Sequence, residues 1–162
     1  LKLNYALGAI VGLLHDVLIT LGLLAMMGKE IDLNIIAALM TLVGYSLNDT
    51  IIVYDRIREN LQNQPEDNPA PLADIINLSV NQTLGRTIMT SATTLIAALS
   101  LTILGGGAIH DFALTMSLGV FIGTFSSVFV STPILLLLGD TRQYMVARKK
   151  VEYERPGEHG VV

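Results

Sequence analysis

Cysteine is missing from all 162 residues, which excludes disulfides, thiolate nucleophiles and cysteine-ligated metals. Charge is scarce as well: Asp, Glu, Lys and Arg make up 15% of the chain against 51% hydrophobic residues, and mean hydropathy is +0.57. A chain this poor in charge and rich in apolar runs is expected in a bilayer. The formal net charge of −4 is uninformative, and no nucleic-acid partner is expected. The first apolar run is not expected to be a cleavable leader: it is too long for a signal core, one basic residue precedes it, and Leu1 stands where Met would. The chain therefore reads as a fragment.

Four apolar runs of bilayer-spanning length are present, at about 5–27, 33–54, 88–104 and 112–138. All four are expected to be helices, because unpaired strands would leave backbone groups unsatisfied in lipid, and the runs are too long for barrel strands. The fold class is all-α, a polytopic transmembrane helix bundle within residues 1–139. Topology follows basic residues in short flanking loops. Lys2, Arg56, Arg58, Arg86, Arg142, Arg148, Lys149, Lys150 and Arg155 fall on one side of a four-span arrangement, and only Lys29 falls on the other. Both termini are thus expected in the cytoplasm, with two tight helical hairpins joined inside through residues 55–87. Within that connection QNQPEDNPAP, from Gln62 to Pro71, is a polar, proline-punctuated linker. After it Leu72, Ile75, Ile76, Val80, Thr83 and Leu84 recur at helical spacing, predicting a short amphipathic helix against the inner lipid interface. It either covers the bundle's lower end or couples it to something else. Residues 140–162 form a charged cytoplasmic tail.

The second run reads LNIIAALMTLVGYSLNDTIIVY and places Asn48 and Asp49 inside an apolar helix. A mid-helix carboxylate costs roughly 3 kcal/mol on insertion scales, and each Leu, Ile or Val returns about 0.3–0.6 kcal/mol, so the segment still inserts. Ionisable groups so placed usually face a bundle interior and mark ion pathways. Small residues tell which faces meet, since helices in lipid associate by close backbone approach. Gly8, Gly12, Asp16 and Thr20 make one such stripe; Thr115, Gly119, Gly123, Ser127 and Ser131 make another; Thr87, Thr90, Ser91, Thr94 and Ala98 make a third. The first turns Asp16 inward with His15 at the seam. Asp49 stands six residues from Asp55, so about 9 Å inside the cytoplasmic boundary, and Asp16 fourteen residues from Lys2, about 20 Å in. Titratable groups staggered in depth suit stepwise proton movement, and Arg86 is placed where its long side chain would reach Asp49. Burial and a nearby cation pull a carboxyl's charge in opposite directions, so a pair that opens and closes would let Asp49 exchange a proton.

GYSLNDTIIVYDRIREN, NQTLGRTIMTSATTL and LLHDVLITLG together resemble the SecF subunits of the SecD/SecF protein-export complexes, and ILGGGAIHDFALTMSLG resembles a turn common to SecD and SecF. The resemblance covers nearly the whole chain. It implies a membrane subunit of the resistance-nodulation-division superfamily in the bacterial inner membrane, partnering SecD and the SecYEG channel and assisting polypeptide export with proton-motive force. The family's membrane acid and arginine fall on Asp49 and Arg86. Measured against that pattern, two upstream spans and the extracytoplasmic domain that would touch exported chains are absent. No cofactor beyond the proton gradient is implied, and no enzymatic chemistry.

The proton-transfer candidates are thus Asp49, Arg86, Asp16 and His15, with Asn48, Thr90 and Thr94 as supporting polar groups and Gly8, Gly12, Gly119 and Gly123 as packing positions. Each has a plainer reading: Asp49 with Arg86 as a register-fixing ion pair, His15 as a satisfied interior histidine, Asn48 as a packing residue. Three other functions compete. One is proton-coupled efflux of lipids or small molecules by a relative in the same superfamily, another an intramembrane aspartyl protease, the third a purely structural partner of SecD. The protease needs two acids at one level and a GxGD motif, and this sequence has neither.

Overall fold

The computed structural model describes residues 3–65 and 70–138; the expected tail and part of the polar linker lie outside the described residues. The elements are α1 (Leu3–Met26), α2 (Leu33–Gln62), α3 (Leu72–Leu104), α4 (Ala108–Ser126), a π-helical segment (Ser127–Ser131) and α5 (Thr132–Leu137). Among the described residues there is no strand. The π segment joins α4 and α5 into one fourth span, so four helices are long and apolar enough to cross a membrane. At about 1.5 Å per residue the 24-residue α1 measures about 36 Å, enough for a hydrocarbon core of about 30 Å. By the same rise α2 and α3 run about 45–50 Å and overshoot it.

Helix ends follow local chemistry. Gly28, at φ 68°, closes α1 in a backbone region that side chains disfavour. Asp32 caps α2, its carboxylate accepting from the Ile35 amide at 2.9 Å. Pro71 precedes the first turn of α3. Gly107, at φ 54°, turns the chain into α4. The α1–α2 and α3–α4 turns lie at the same end of the bundle, where Lys29 pairs with Asp111 at 2.6 Å. Two hairpins result, as expected, with α4 packing against each of the other three spans.

One expected boundary is absent. The amphipathic segment after Pro71 is not a separate interfacial helix but the first half of α3, and residues 55–62 are the last turns of α2 rather than linker. Between Leu72 and Leu104 the only backbone breaker is Gly85, an interior glycine whose cost is about 1 kcal/mol, too little to stop a helix held by its neighbours. The two extensions are tied together by Asn60 donating to Ser79 at 2.8 Å and Arg56 donating to Gln82 at 2.7 Å.

The fourth span breaks for an identifiable reason. Pro133 has no N–H to give the carbonyl one turn back, and its ring crowds that carbonyl. Two other carbonyls of the distorted stretch take side-chain donors, that of Ser127 from the Thr132 hydroxyl at 2.8 Å and that of Ser131 from Tyr54 on α2 at 2.6 Å. In a membrane helix interrupted by proline, side chains of the same and neighbouring helices supply donors of this kind to the backbone around the break.

Packing divides the bundle into three layers. Tyr5, Val53, Tyr54, Ile57, Leu61, Ile75, Ile76 and Leu135 form one apolar cluster toward the α2–α3 connection. Leu24, Ile35, Ala38, Leu39, Leu42, Ala98, Met116 and Val120 form a second toward the hairpin turns. Between them on every span lie buried polar residues: Asp16 on α1, Ser46, Asp49 and Thr50 on α2, Thr87 and Ser91 on α3, and Ser126, Ser127 and Ser131 on the fourth span. Large apolar residues such as Leu18, Met40, Ile96 and Phe129 point outward, as they must where the solvent is lipid.

Candidate functional site, a polar layer between two apolar clusters

The α1 face that turns inward repeats at nearly four-residue steps: Tyr5, Gly8, Gly12, Asp16, Thr20 and Leu24 are its buried residues. Side chains spaced by three or four residues share a helix face. Glycines on it admit the neighbouring helix. A Cβ at Gly8 would meet the Tyr54 hydroxyl, and one at Gly12 would meet Ser131 Oγ. On α4, Gly119 lies against Leu42, and a Cβ at Gly123 would stand 3.4 Å from Asp16 Oδ2 and 3.7 Å from Ser46 Cβ. All four small positions proposed from the sequence sit at close approaches between helices.

Asp16 occupies the resulting junction and is fully buried. Its Oδ2 accepts from Ser46 at 2.5 Å, and its Oδ1 lies 3.1 Å from His15 Nδ1, which donates when the proton is on that nitrogen. The His15 side chain is itself 36% exposed at the bundle edge. Both oxygens of Asp16 are therefore engaged, one to α2 and one to its own helix.

Asp49 differs. It lies one turn beyond Ser46 on the same face of α2 and is 3% exposed, yet its Oδ2 has no hydrogen-bond partner among the described residues. Ser91 of α3 is the hydroxyl that faces the carboxyl, and Arg86 lies within electrostatic reach. Asp49 and Arg86 do not form an ion pair within 4.0 Å; the three such pairs among the described residues are His15 with Asp16, Lys29 with Asp111 and Arg56 with Glu59. Helical phase explains why. The inward face of α3 carries Thr83, Thr87 and Ser91, and Arg86 is one residue, about 100°, off it and exposed.

The supporting groups read from the sequence are not gathered here. Asn48 and Thr90 are exposed, and Thr94 is half-buried with its hydroxyl on the Thr90 carbonyl of its own helix. In their place are residues that the sequence marked only as packing or not at all. Ser46 ties Asp16 to α2, Tyr45 and Thr124 both reach Ser91, and Tyr54 holds the π segment. Spacing signalled that Ser91 and Ser127 face inward, but no local pattern distinguishes a hydroxyl beside a carboxylate from one that merely packs. Thr87 Oγ1, Ser126 Oγ and Ser131 Oγ join Asp49 Oδ2 as buried polar atoms with no partner among the described residues.

Between the two apolar clusters the layer thus holds two buried carboxyl groups, Asp16 with both oxygens engaged and Asp49 with one oxygen that has no partner among the described residues. Residues 1–141 match the family described as "Protein export membrane protein SecD/SecF, C-terminal". The chain belongs to this SecD/SecF family. It is 49% identical to protein translocase subunit SecF of Thermodesulfovibrio yellowstonii over 138 residues, 85% of this chain and 46% of that protein. With protein translocase subunit SecF of Rhodobacter capsulatus it is 51% identical over 136 residues, 84% of this chain and 40% of that one. The crystal structure of SecDF from Thermus thermophilus, a translocon-associated membrane protein, is 43% identical with a TM-score of 0.80, matching 85% of this chain and 19% of its own. A SecDF structure in a super-membrane-facing form matches 90% of this chain and 20% of its own at 43% identity and a TM-score of 0.78. The chain thus spans less than half the length of these relatives. The SecF resemblance and the four-span, all-helical bundle are borne out, and the SecD/SecF family member is a multi-pass membrane protein.

Proposed function

We propose that this chain is the membrane half of a SecF-type subunit, which uses proton-motive force to assist polypeptide export through the Sec channel, with Asp49 as the proton carrier. The observation that carries this reading is a carboxyl 3% exposed between two apolar clusters, with one oxygen unpartnered and no cation within pairing distance among the described residues. A merely structural acid in lipid is paired and hydrogen-bonded on all sides, because an unpaired charge there is costly. An acid that must exchange a proton keeps a position open for it. Arg86, outside pairing distance but within electrostatic reach, biases the charge on Asp49 without fixing it. One charge moved through 100 mV yields roughly 2.3 kcal/mol, enough to tip a bundle between two packings of similar energy.

In this reading SecD supplies the adjoining membrane half, the SecYEG channel is the site of export, and the moving polypeptide is touched by parts of the subunit beyond these helices. The names of the relatives, translocase subunit and translocon-associated protein, support that assignment. The location is the bacterial inner membrane with the α2–α3 connection and both chain ends in the cytoplasm, which the bias of Lys and Arg to that side supports. The role is transport without catalysis or cofactor. His15 and Asp16 stand as a second candidate on the proton path. The test is export into membrane vesicles with and without a proton gradient. Asp49→Asn is expected to abolish the gradient-dependent part while insertion and SecD association persist; full stimulation in that variant would overturn the carrier role. Proton-coupled efflux remains the alternative, and it predicts gradient-driven loss of a small molecule or lipid from vesicles that contain no Sec channel.

A further inference from the structure

Ser91 is joined to more of the bundle than a packing residue needs to be. It is 6% exposed on α3, where three spans meet. Tyr45 of α2 donates to its oxygen at 3.2 Å, Thr124 of α4 lies at 2.8 Å, and the Asp49 carboxyl faces it. A hydroxyl has one proton and two lone pairs. Thr124 likewise has one proton and two acceptors within reach, Ser91 Oγ at 2.8 Å and the Val120 carbonyl at 2.6 Å. Those counts allow two arrangements. When Thr124 donates to Ser91, both lone pairs of Ser91 are occupied and its proton is left for Asp49. When Thr124 turns to the Val120 carbonyl, Ser91 donates to Thr124, and Asp49 has no donor.

The charge on Asp49 selects between them. An ionised carboxylate only accepts, and a hydrogen bond to it is about twice as strong as one between neutral groups, so the first arrangement wins. A protonated carboxyl carries its own donor and releases Ser91. We propose that Ser91 is a positioning residue for Asp49, with Thr124 as its counterpart, and that the two hydroxyls re-aim as Asp49 loses and gains its proton. The contact between α3 and α4 is kept in both states; only the order of the protons along it reverses. No helix has to move for the acid to be supplied with a donor and then freed of it. At neutral pH the other charged or titratable groups near Asp49 are Arg86 on α3 and, one turn away through Ser46, Asp16 with His15 on α1; α4 brings Gly123 and Thr124 to this level, neither of them charged.

This inference rests on Asp49 being the carrier, and the experiment separates the two. Infrared titration of the protein in lipid vesicles follows the protonated-carboxyl band that disappears in Asp49→Asn. In Ser91→Ala the midpoint of that band is expected to move by about ten-fold in proton concentration, the scale of a lost hydrogen bond to a charged group. Thr124→Val keeps the shape of the side chain and removes its hydroxyl, donor and acceptor together, so that neither arrangement can form; it is expected to move the midpoint by less than Ser91→Ala does. Ser91→Thr should restore the wild-type position. A band that titrates in the wild type but stays put in both Ser91→Ala and Thr124→Val overturns the positioning role and leaves the carrier role standing. If no titrating band is lost in Asp49→Asn, the carrier reading fails and takes this inference with it.

Discussion

Two carboxyl groups lie in the same polar layer, and the surroundings of each are opposite in kind. Asp16 lies among α1, α2 and α4, has both oxygens engaged, and faces Gly123, where an added Cβ would stand at ordinary contact distance from it. Asp49 is buried nearly as deeply but has an unpartnered oxygen, a rotatable hydroxyl in front of it and a cation held at a distance. Burial alone therefore does not identify a working acid in a membrane bundle. What separates the two is whether the site is saturated. In the proposed reading the saturated carboxyl serves first as a joint between helices, and the unsaturated one keeps a choice of charge.

The largest expected difference comes from the same substitution at each position. Asp49→Asn removes the exchangeable proton and should eliminate gradient-driven export. Asp16→Asn should leave most of it, because an amide oxygen still accepts from Ser46, and the amide N–H can donate to His15 Nδ1 once the imidazole proton shifts to Nε2. Export rates of the two variants, measured side by side at one gradient, check this; equal loss in both would make Asp16 part of the proton path and erase the contrast. Truncation reverses the ranking. Asp16→Ala leaves a cavity and an unpaired Ser46 in a closed junction and should cost about 3 kcal/mol in unfolding from micelles. Asp49→Ala, at an already unsaturated site, should cost visibly less.

Much of this was readable from the sequence. Run lengths gave four spans, and the stripes of small residues name Gly8, Gly12, Gly119, Gly123 and Asp16, which the structure turns toward neighbouring helices, because close approach demands small residues at helical spacing. Hydropathy could not show that α3 continues from the interfacial segment into the membrane, since a helix crossing from water to lipid changes composition without changing conformation. Nor could it place Arg86: one residue separates it from the Thr87 and Ser91 face, and that residue turns the guanidinium outward. The π segment follows from Pro133 together with a hydroxyl donor arriving from α2, a tertiary circumstance that no local pattern announces.

The joint around Asp16 can be probed from a distance. Gly12 passes Ser131 so closely that an added methyl has to displace the serine hydroxyl. Gly12→Ala should destabilise the bundle by about 1–2 kcal/mol through overpacking. Ser131→Ala removes the obstructing oxygen, so the double variant should recover part of that loss. A double-mutant cycle in micelles measures the coupling, and additive effects would show that α1 and the π segment do not meet as described.

A third carboxyl calibrates the other two, and it carries the smallest expected effect. Asp32 lies outside the spans, at the start of α2, where the Ile35 amide first and the Asn34 side chain second hold its carboxyl below the ordinary value of 3.8. These donors favour the ionised form in the folded state, so the cap's contribution is fully present above that ordinary value. It fades as pH falls through the lower folded value, because protonation withdraws the acceptor from the Ile35 amide. Amide hydrogen exchange at the first turn of α2 should therefore be insensitive to pH-driven opening near neutrality and gain an acid-induced component only below about pH 4. Asp32→Ala should show that faster exchange at every pH, confined to the same turn and without effect on export. An aqueous carboxyl thus titrates as local chemistry dictates and leaves the bundle alone, whereas in the proposed reading a change of charge on Asp49 of α2 is passed through Ser91 of α3 to Thr124 of α4.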